Sequence, residues 1–250
     1  MNEVLQQLYD RKSVRVFEER EISPEDKAAI LKAAVMAPTA GNQQLYTILD
    51  ITDQEKKELL VETCDHQPFI AKGKMVLVFC ADCRKWYDAF EACGCSPRNP
   101  GAGDLMLAVS DAVIAAQNAV VAAWSLGIGS CYIGDIMENC EKQREILGLP
   151  EYVFPAAMLV FGYPIEQQKQ RKKPERVEMK HIVHENTYRH MDAGELEEML
   201  EHNKGIKTYG EWMQAFCSRK YNSAFSREMT RSVEIYLKDF KNDSEEKKIK

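Results

Sequence analysis

The chain has 250 residues, of which 45% are hydrophobic, and its formal net charge is −6 at pH 7. This length suits one large domain or one domain with an appendage, and the apolar share is ample for a buried core. The negative charge argues against general affinity for nucleic acid, so we expect no nucleic-acid partner. The amphipathic N-terminus lacks the apolar run of a signal peptide, so we expect a cytoplasmic protein whose eight cysteines stay reduced.

The sequence RKSVRVF, which follows a short predicted N-terminal helix, alternates between polar and apolar residues. The alternation places Arg11, Ser13 and Arg15 on one face of an extended segment. Val14 and Val16 then lie on the opposite face. Two guanidinium groups and a hydroxyl on one face suit a phosphate and a polar ring edge. A solvated edge strand has the same pattern, and spacing alone favours that plainer interpretation.

A second helix is predicted to begin at Ser23, which suits the N-cap position, with Pro24 in the first turn. The helix runs to about Ala37, where the loop PTAGNQQ at 38–44 breaks it. This loop is rich in small hydrogen-bonding groups and precedes a predicted strand at 45–52. It is therefore either an ordinary connection or a ligand-binding loop.

Nearly continuous apolar runs at 74–81 and 152–164 predict two strands that are buried on both faces. Between them, the stretch from Gly103 to Gly127 predicts a long helix with Asp104 in its first turn. The helix is apolar on almost every face, so we expect burial on nearly all sides. Its polar residues argue against a membrane span, and we expect no membrane partner. The Gly-rich sequence GIGSCYIG that follows predicts a turn and a short strand whose bare backbone suits a flat ligand.

Two close cysteine pairs, Cys80 with Cys83 and Cys93 with Cys95, resemble a zinc or iron–sulfur ligand set. Cys80 ends a predicted core strand, and the second pair has only one intervening residue. We therefore interpret them as buried and loop thiols and expect no metal. Three histidines lie on the polar segment after the last predicted strand and are interpreted as surface residues: His181, His184 and His190.

Two charged helical segments are predicted near the C-terminus, at 194–202 and 208–240. The second carries an intermittent apolar stripe, so we expect a helical arm that packs over a neighbour. The chain is thus predicted to comprise a domain at 1–191, an arm at 192–240 and a disordered tail at 241–250.

Four stretches, in this order, resemble the nitroreductase family of FMN flavoproteins: RKSVRVF at 11–17, APTAGNQQ at 37–44, the long helix and Gly-rich turn at 103–134, and FGYP with KKPER at 161–176. The RxSxR motif alone is weak, whereas the ordered set is specific. The branch most similar is that of NAD(P)H-dependent oxygen-insensitive nitroreductases and flavin reductases. The resemblance implies an α+β nitroreductase-like fold, in which a central sheet is flanked by helices around a long buried central helix. It also implies a homodimer with two FMN sites at its interface.

The resemblance further implies which residues bind the cofactor. They are Arg11, Lys12, Ser13, Arg15, Pro38, Thr39, Asn42, Gln67, Tyr132, Ile133, Gly134, Asp135, Lys173 and Arg176. Arg11 and Ser13 would hold the FMN phosphate, and Lys173 and Arg176 would add contacts to it. Glu175 is an extra residue in the basic segment compared with the family pattern.

The remaining implied contacts are to the flavin ring. Arg15 would lie at the N1/O2 edge, and Gln67 would lie at the pyrimidine edge. The loop at 38–42 would reach the flavin of the other subunit, and the backbone of residues 132–135 would face the ring near N5.

The implied chemistry needs no catalytic side chain, because hydride arrives at and leaves from flavin N5 and Arg15 acts as an electrostatic stabiliser. The predicted function is transfer of hydride from NAD(P)H through bound FMN to nitroaromatic, quinone or flavin acceptors by a ping-pong mechanism. Two alternatives stay open: a non-enzymatic FMN-binding or redox-sensing protein, and a cysteine-ligated metal or iron–sulfur module.

Overall fold

Four strands form one antiparallel sheet in the order β1-β2-β4-β3. The strands are β1 Tyr46–Asp50, β2 Met75–Asp82, β3 Gly129–Ile133 and β4 Val153–Gly162. The structure, a computed structural model, describes residues 1–241. The tail predicted to be disordered, at 241–250, therefore lies outside the described residues except for Lys241. The two central strands, β2 and β4, are buried along their whole length, which confirms the interpretation of the two apolar runs.

Ten α-helices lie within the described residues and complete an α+β fold, as predicted. They are α1 Glu3–Asp10, α2 Pro24–Val35, α3 Gln54–Thr63, α4 Arg84–Ala92, α5 Ala102–Ser125, α6 Cys140–Leu147, α7 Glu166–Gln170, α8 Ala193–Leu200, α9 Tyr209–Lys220 and α10 Ala224–Lys238. Short 3-10 turns occur at Ala40–Asn42, Asp135–Met137, Met179–His181 and Glu201–Asn203. The single helical segment expected at 208–240 is two helices, because the chain turns between α9 and α10.

Alternate residues of β2 face two separate cores, one on each side of the sheet. Leu77 and Phe79 belong to the first core, which includes α2, α5 and the C-terminal part of α10. Val76 and Val78 belong to the second core, which includes residues of α3 and of the turn after β3. The sheet is therefore covered by helices on both faces, as the family resemblance implied.

The long helix α5 forms as expected, with Asp104 accepting a hydrogen bond from the Gly101 N–H at 2.7 Å and Gly127 in the left-handed region at φ +75°. A row of alanines on α5 is fully buried in the first core. The expectation of burial on nearly every side is wrong for the single chain, because Met106 is 64% exposed and Val113 and Ile114 are also exposed. By length and composition α5 would also suit a membrane span, yet it is the packed central helix of this core.

The end of α10 packs on the chain's own first core. The Tyr236 ring is fully buried and lies edge-on to Phe154, with ring centroids 5.1 Å apart. Phe240 packs in the same manner on Tyr152 at 5.7 Å. For this part of the apolar stripe, the expected packing over a neighbour is therefore wrong.

Contacts divide the described chain into two compact units, residues 1–171 with the segment from Glu228, and residues 172–227. The boundary predicted after residue 191 falls inside the second unit. Within that unit His181 is only 7% exposed, because the 3-10 turn at Met179–His181 carries its ring inward. The interpretation of His181 as a surface residue is wrong, whereas His190 is exposed and His184 is half-buried.

Candidate functional site

The RKSVRVF segment lies along the edge of the sheet beside β3 and the end of β4. The Val14 N–H donates to the Ser130 carbonyl at 2.9 Å. A Cβ on Gly129 would stand 2.6 Å from the Val14 side chain, and a Cβ on Gly162 would stand 2.6 Å from Phe17. Only glycine lets the segment approach the two strands this closely.

The segment buries one of its two valines. Val14 is 1% exposed, whereas Val16 is 46% exposed. The segment touches the sheet only through isolated bridges, so the predicted apolar face does not continue to Val16. On the opposite face Arg11 is half-buried, and its Nη1 is buried without a hydrogen-bond partner among the described residues.

The polar face of the segment converges on the Cys131 thiol of β3. Burial raises the pKa of this thiol, and the charges of Arg15 and Arg11 and a hydrogen bond to Ser13 oppose that rise. The structure therefore brings together the three residues that alternation placed on one face. Cys131 is not among the predicted cofactor-binding residues, although its position in the Gly-rich sequence after α5 was a usable signal.

Arg171, which was not among the predicted cofactor-binding residues, also contacts the RKSVRVF segment. Arg171 donates through Nη2 to the backbone carbonyl of Ser13. Lys12 Nζ donates to the carbonyl of Lys169 at 2.6 Å and also to that of Arg171. These bonds fasten the end of α7 to the RKSVRVF segment. Arg171 is the first residue of the basic segment at 171–176. Only Lys173 and Arg176 of that segment were predicted to bind the cofactor.

The later basic residues, Lys173 and Arg176, belong to the second compact unit. Arg176 is exposed, and its Nη1 donates to the carbonyl of Pro174 at 3.3 Å. Their contacts to a phosphate stay a prediction.

Gln67 is fixed beside the turn that follows β3. Its Nε2 donates to Asp135 Oδ2 at 2.8 Å and to the Cys64 carbonyl at 3.1 Å. Asp65 and His66 both adopt left-handed backbone, with φ of +55° and +51°. Such backbone costs free energy in residues with a side chain and is concentrated at functional sites. Because both N–H bonds of the Gln67 amide are engaged, its carbonyl oxygen is the part of the amide that remains to accept a hydrogen bond.

The turn from Tyr132 to Asp135 lies next to Gln67. Tyr132 is half-buried, and burial raises its pKa to about 12. Its hydroxyl lies 3.3 Å from Gln117 Oε1 on α5. Ile133 is buried in the second core, whereas Gly134 is exposed and a Cβ there would meet no atom closer than 4.0 Å.

The loop at 38–42 is held by a carboxylate from the middle of α5. Asp111, which is buried, accepts hydrogen bonds from the Thr39 hydroxyl and from the Ala40 N–H, the latter at 2.9 Å. Pro38 and Asn42 are exposed, and Asn42 has left-handed backbone with φ +57°. Asp111 is one of the few polar residues of α5, and no pattern in the sequence indicated that it supports this loop.

The four cysteines of the two close pairs differ in burial. Cys80 and Cys83 are buried, and burial raises the pKa of each thiol to about 12. Cys93 and Cys95 are exposed. Within residues 1–241, no group of three or more His, Cys, Asp or Glu side chains is arranged to hold a metal ion.

The sequence and the fold of this chain were compared with those of known proteins. The model of the Nitroreductase family matches residues 8–163. The FMN reductase (NAD(P)H) of Bacillus subtilis strain 168 is 32% identical over 238 residues, which cover 94% of this chain and 91% of the relative. The oxygen-insensitive NADPH nitroreductase of Salmonella typhimurium is 33% identical over 193 residues, or 77% of each protein. The solved structure of NfrA1 from B. megaterium superposes with a TM-score of 0.82 at 28% identity, covering 94% of this chain and 98% of that one. This chain therefore belongs to the nitroreductase family.

Proposed function

We propose that this chain is a cytoplasmic oxidoreductase that passes hydride from NAD(P)H through FMN to nitroaromatic, quinone or flavin acceptors in a ping-pong cycle. Family membership and relatives named as FMN reductase and NADPH nitroreductase support an NAD(P)H-dependent enzyme with FMN as its cofactor. FMN supplies the hydride-accepting and hydride-donating atom, N5, so the protein needs only to position its ligands and to provide charge. One slot that receives donor and acceptor in turn would give ping-pong kinetics.

The observation that carries the proposal is the donor set of the RKSVRVF segment. The Arg11 Nη1 is buried without a partner among residues 1–241, and a buried donor in that state costs free energy. A phosphate offers several anionic acceptors and removes this cost. Arg11 and Ser13 would hold the FMN phosphate, and Lys173 and Arg176 stay candidates for further contacts. Lys12, whose ammonium group is bonded to the Lys169 and Arg171 carbonyls, would contribute positive charge near the cofactor.

The ring of FMN would lie beyond the phosphate. Arg15 stands two positions along the same face as Ser13, about 7 Å away in extended chain. Its guanidinium would stabilise negative charge at the N1/O2 edge of the ring. Gln67 presents a carbonyl oxygen, which suits the imide N–H of the pyrimidine edge. The open space at Gly134 would let a flat ring approach the backbone of residues 132–135.

We also infer a homodimer with an FMN site at each end of its interface. The exposed apolar residues of α5 lie beside an amphipathic α1 that also exposes apolar side chains, and a contiguous exposed apolar patch often marks a protein–protein interface. A second copy would cover them. The exposed tip of the loop at 38–42 would then reach the flavin held by the other subunit.

The test is a spectrum of the purified protein, followed by anaerobic titration with NADH and with NADPH. We expect flavin absorption, one FMN released per chain on heating, and steady NAD(P)H oxidation when a quinone is added. Colourless protein that takes up no added FMN would contradict the proposal. Bound FMN without steady turnover would instead favour a non-enzymatic FMN-binding or redox-sensing protein.

A further inference from the structure

Glu138 is a buried acid for which hydride transfer has no use. It follows the 3-10 turn at Asp135–Met137, and its N–H donates to the Asp135 carbonyl at 3.0 Å. The residue is only 5% exposed, and its Oε1 is buried without a hydrogen-bond donor among the described residues. Its side chain lies within hydrogen-bonding reach of the Asp135 carboxyl group. Two carboxyl groups in contact offer only acceptors when both are ionised, so a proton must lie between them.

Glu138 is the member of the pair that holds this proton. Asp135 already accepts a hydrogen bond from the Gln67 amide at 2.8 Å, whereas the more deeply buried Glu138 has no donor for its Oε1 among the described residues. Burial, and after it the charge of Asp135, raises the pKa of Glu138 to about 8. Near neutral pH Glu138 is therefore a neutral acid that can donate to the Asp135 carboxylate.

The surroundings of Glu138 contain no cation that pairs with it among residues 1–241. The titratable groups that face it are the carboxyls of Asp135, Asp65 and Glu228 and the thiol of Cys64. Arg231 on α10 pairs with Glu228 at 2.8 Å and with Glu141 at 2.9 Å. The strand β4, which packs on this turn, contributes no titratable side chain. Ionisation of Glu138 would therefore add a negative charge to a site that is already acidic.

We propose that Glu138 is a positioning residue which, as the neutral acid, holds Asp135 against Gln67 and so keeps the Gln67 carbonyl oxygen turned toward the FMN ring. The inference rests on the proposed FMN site. When Glu138 loses its proton to solvent, two like charges meet and Asp135 is pushed away from Gln67. The Gln67 amide then loses one of its two anchors, and the flavin edge loses a fixed acceptor.

The experiment measures the dissociation constant of FMN by fluorescence quenching, with apoprotein at pH 7 and pH 9. We expect FMN to bind wild-type protein about tenfold more weakly at pH 9, the effect of about one disturbed hydrogen bond to a charged group. Glu138→Gln keeps a donor for Asp135 and cannot ionise, so its affinity should be the same at both pH values. Glu138→Ala has no donor and should bind weakly at both.

Glu145→Gln, at an exposed position on α6, is the matched control and should follow the wild-type pH profile. Asp135→Asn provides a second variant if Glu138→Gln does not fold, because it keeps an acceptor for Gln67 while removing the like charge, and its profile should be flat. A flat wild-type profile, or the same pH dependence in Glu138→Gln as in wild type, would overturn the inference. Wild-type protein that binds no FMN at either pH would overturn the proposed function, and this inference with it.

Discussion

Individual residues of the candidate site have clearly separated tasks. Val14 carries the packing of the RKSVRVF segment, since it is buried and its N–H is bonded to β3. Arg15 is exposed, and its backbone lies 3.5 Å from Gln168 Oε1. A change of the Arg15 side chain should therefore leave the fold intact and act on the ligand.

Arg15→Ala should lower the two-electron potential of bound FMN. Reduction makes the N1/O2 edge negative, and a hydrogen bond to a charged group is worth about 1.5–3 kcal/mol. About 30 mV corresponds to 1.4 kcal/mol in a two-electron couple, so the fall should be roughly 30–60 mV. Arg15→Lys should recover only part of it, because an ammonium cannot reproduce the planar fork of a guanidinium. A dye-coupled redox titration gives both values.

The control for this measurement is Arg84→Ala, which removes an arginine that pairs with Asp88 on α4 and lies outside the donor set. Its potential should equal that of wild type. If the FMN-loaded Arg15→Ala variant also kept the wild-type potential, the assignment of Arg15 to the polar edge of the flavin would be wrong.

Among the elements, α5 organises its neighbours through its few polar side chains. Asn118 Nδ2 donates to the Ala33 carbonyl at 3.1 Å and ties the helix to α2. About two helical turns earlier, the Asp111 carboxylate accepts hydrogen bonds from the Thr39 hydroxyl, from the Ala40 N–H and, at 3.1 Å, from the Leu45 N–H. Asp111 and Asn118 thus face inward on an otherwise apolar helix. Asp111 holds the loop that the family resemblance implies is ligand-binding.

Asp111→Asn should destabilise the protein by roughly 2–4 kcal/mol. The amide replaces one acceptor oxygen with an NH₂ group, so at least one buried donor of the loop is left without an acceptor, at about 1–3 kcal/mol each. Urea unfolding followed by circular dichroism gives the free energy of unfolding. Ser110→Ala is the control, because that residue is exposed and its hydroxyl, among residues 1–241, donates to the Met106 carbonyl of its own helix. Equal stability of Asp111→Asn and wild type would show that the carboxylate does not hold the loop.

For the whole molecule, the exposed apolar face of α5 has the greatest consequence. The helix is central to its own core, yet Met106, Leu107, Val113 and Ile114 stay exposed in the single chain. Burial of apolar surface contributes about 25 cal/mol per Å², so a second copy covering this face would gain substantial free energy. The proposed FMN site would then need both chains, since each would contribute a different set of residues.

The double substitution Val113→Lys and Ile114→Lys should give a monomer that has lost most of its FMN. Two lysines would have to be desolvated in the interface without partners, whereas each stays in water in the monomer. Light scattering measures the mass, and absorption measures the flavin content. Lys56→Glu, an exposed change on α3, should leave a dimer with full FMN. A wild-type protein that is a stable, FMN-loaded monomer would refute this expectation.

Features that depend on neighbours along the chain could be predicted from local patterns of residues. The N-cap of α2 is formed by Ser23, whose hydroxyl accepts from the Asp26 N–H at 3.0 Å, as its position predicted. The start and end of α5 and the two buried strands follow from capping residues and hydrophobic runs. The ordered motifs also identified the family, because each of them is local.

Contacts between residues that are distant in the chain depend on the three-dimensional fold. The contact of Arg171 with Ser13 and that of Gln67 with Asp135 join residues far apart in the chain, and no local pattern encodes either. The same holds for the packing of Tyr236 on Phe154. The periodicity of α5 and of the RKSVRVF segment predicted an apolar face in each. It could not predict whether that face is covered, because burial depends on the rest of the folded chain. That is why α5 keeps one face open, and why a buried acid, Glu138, could be found only in the folded chain.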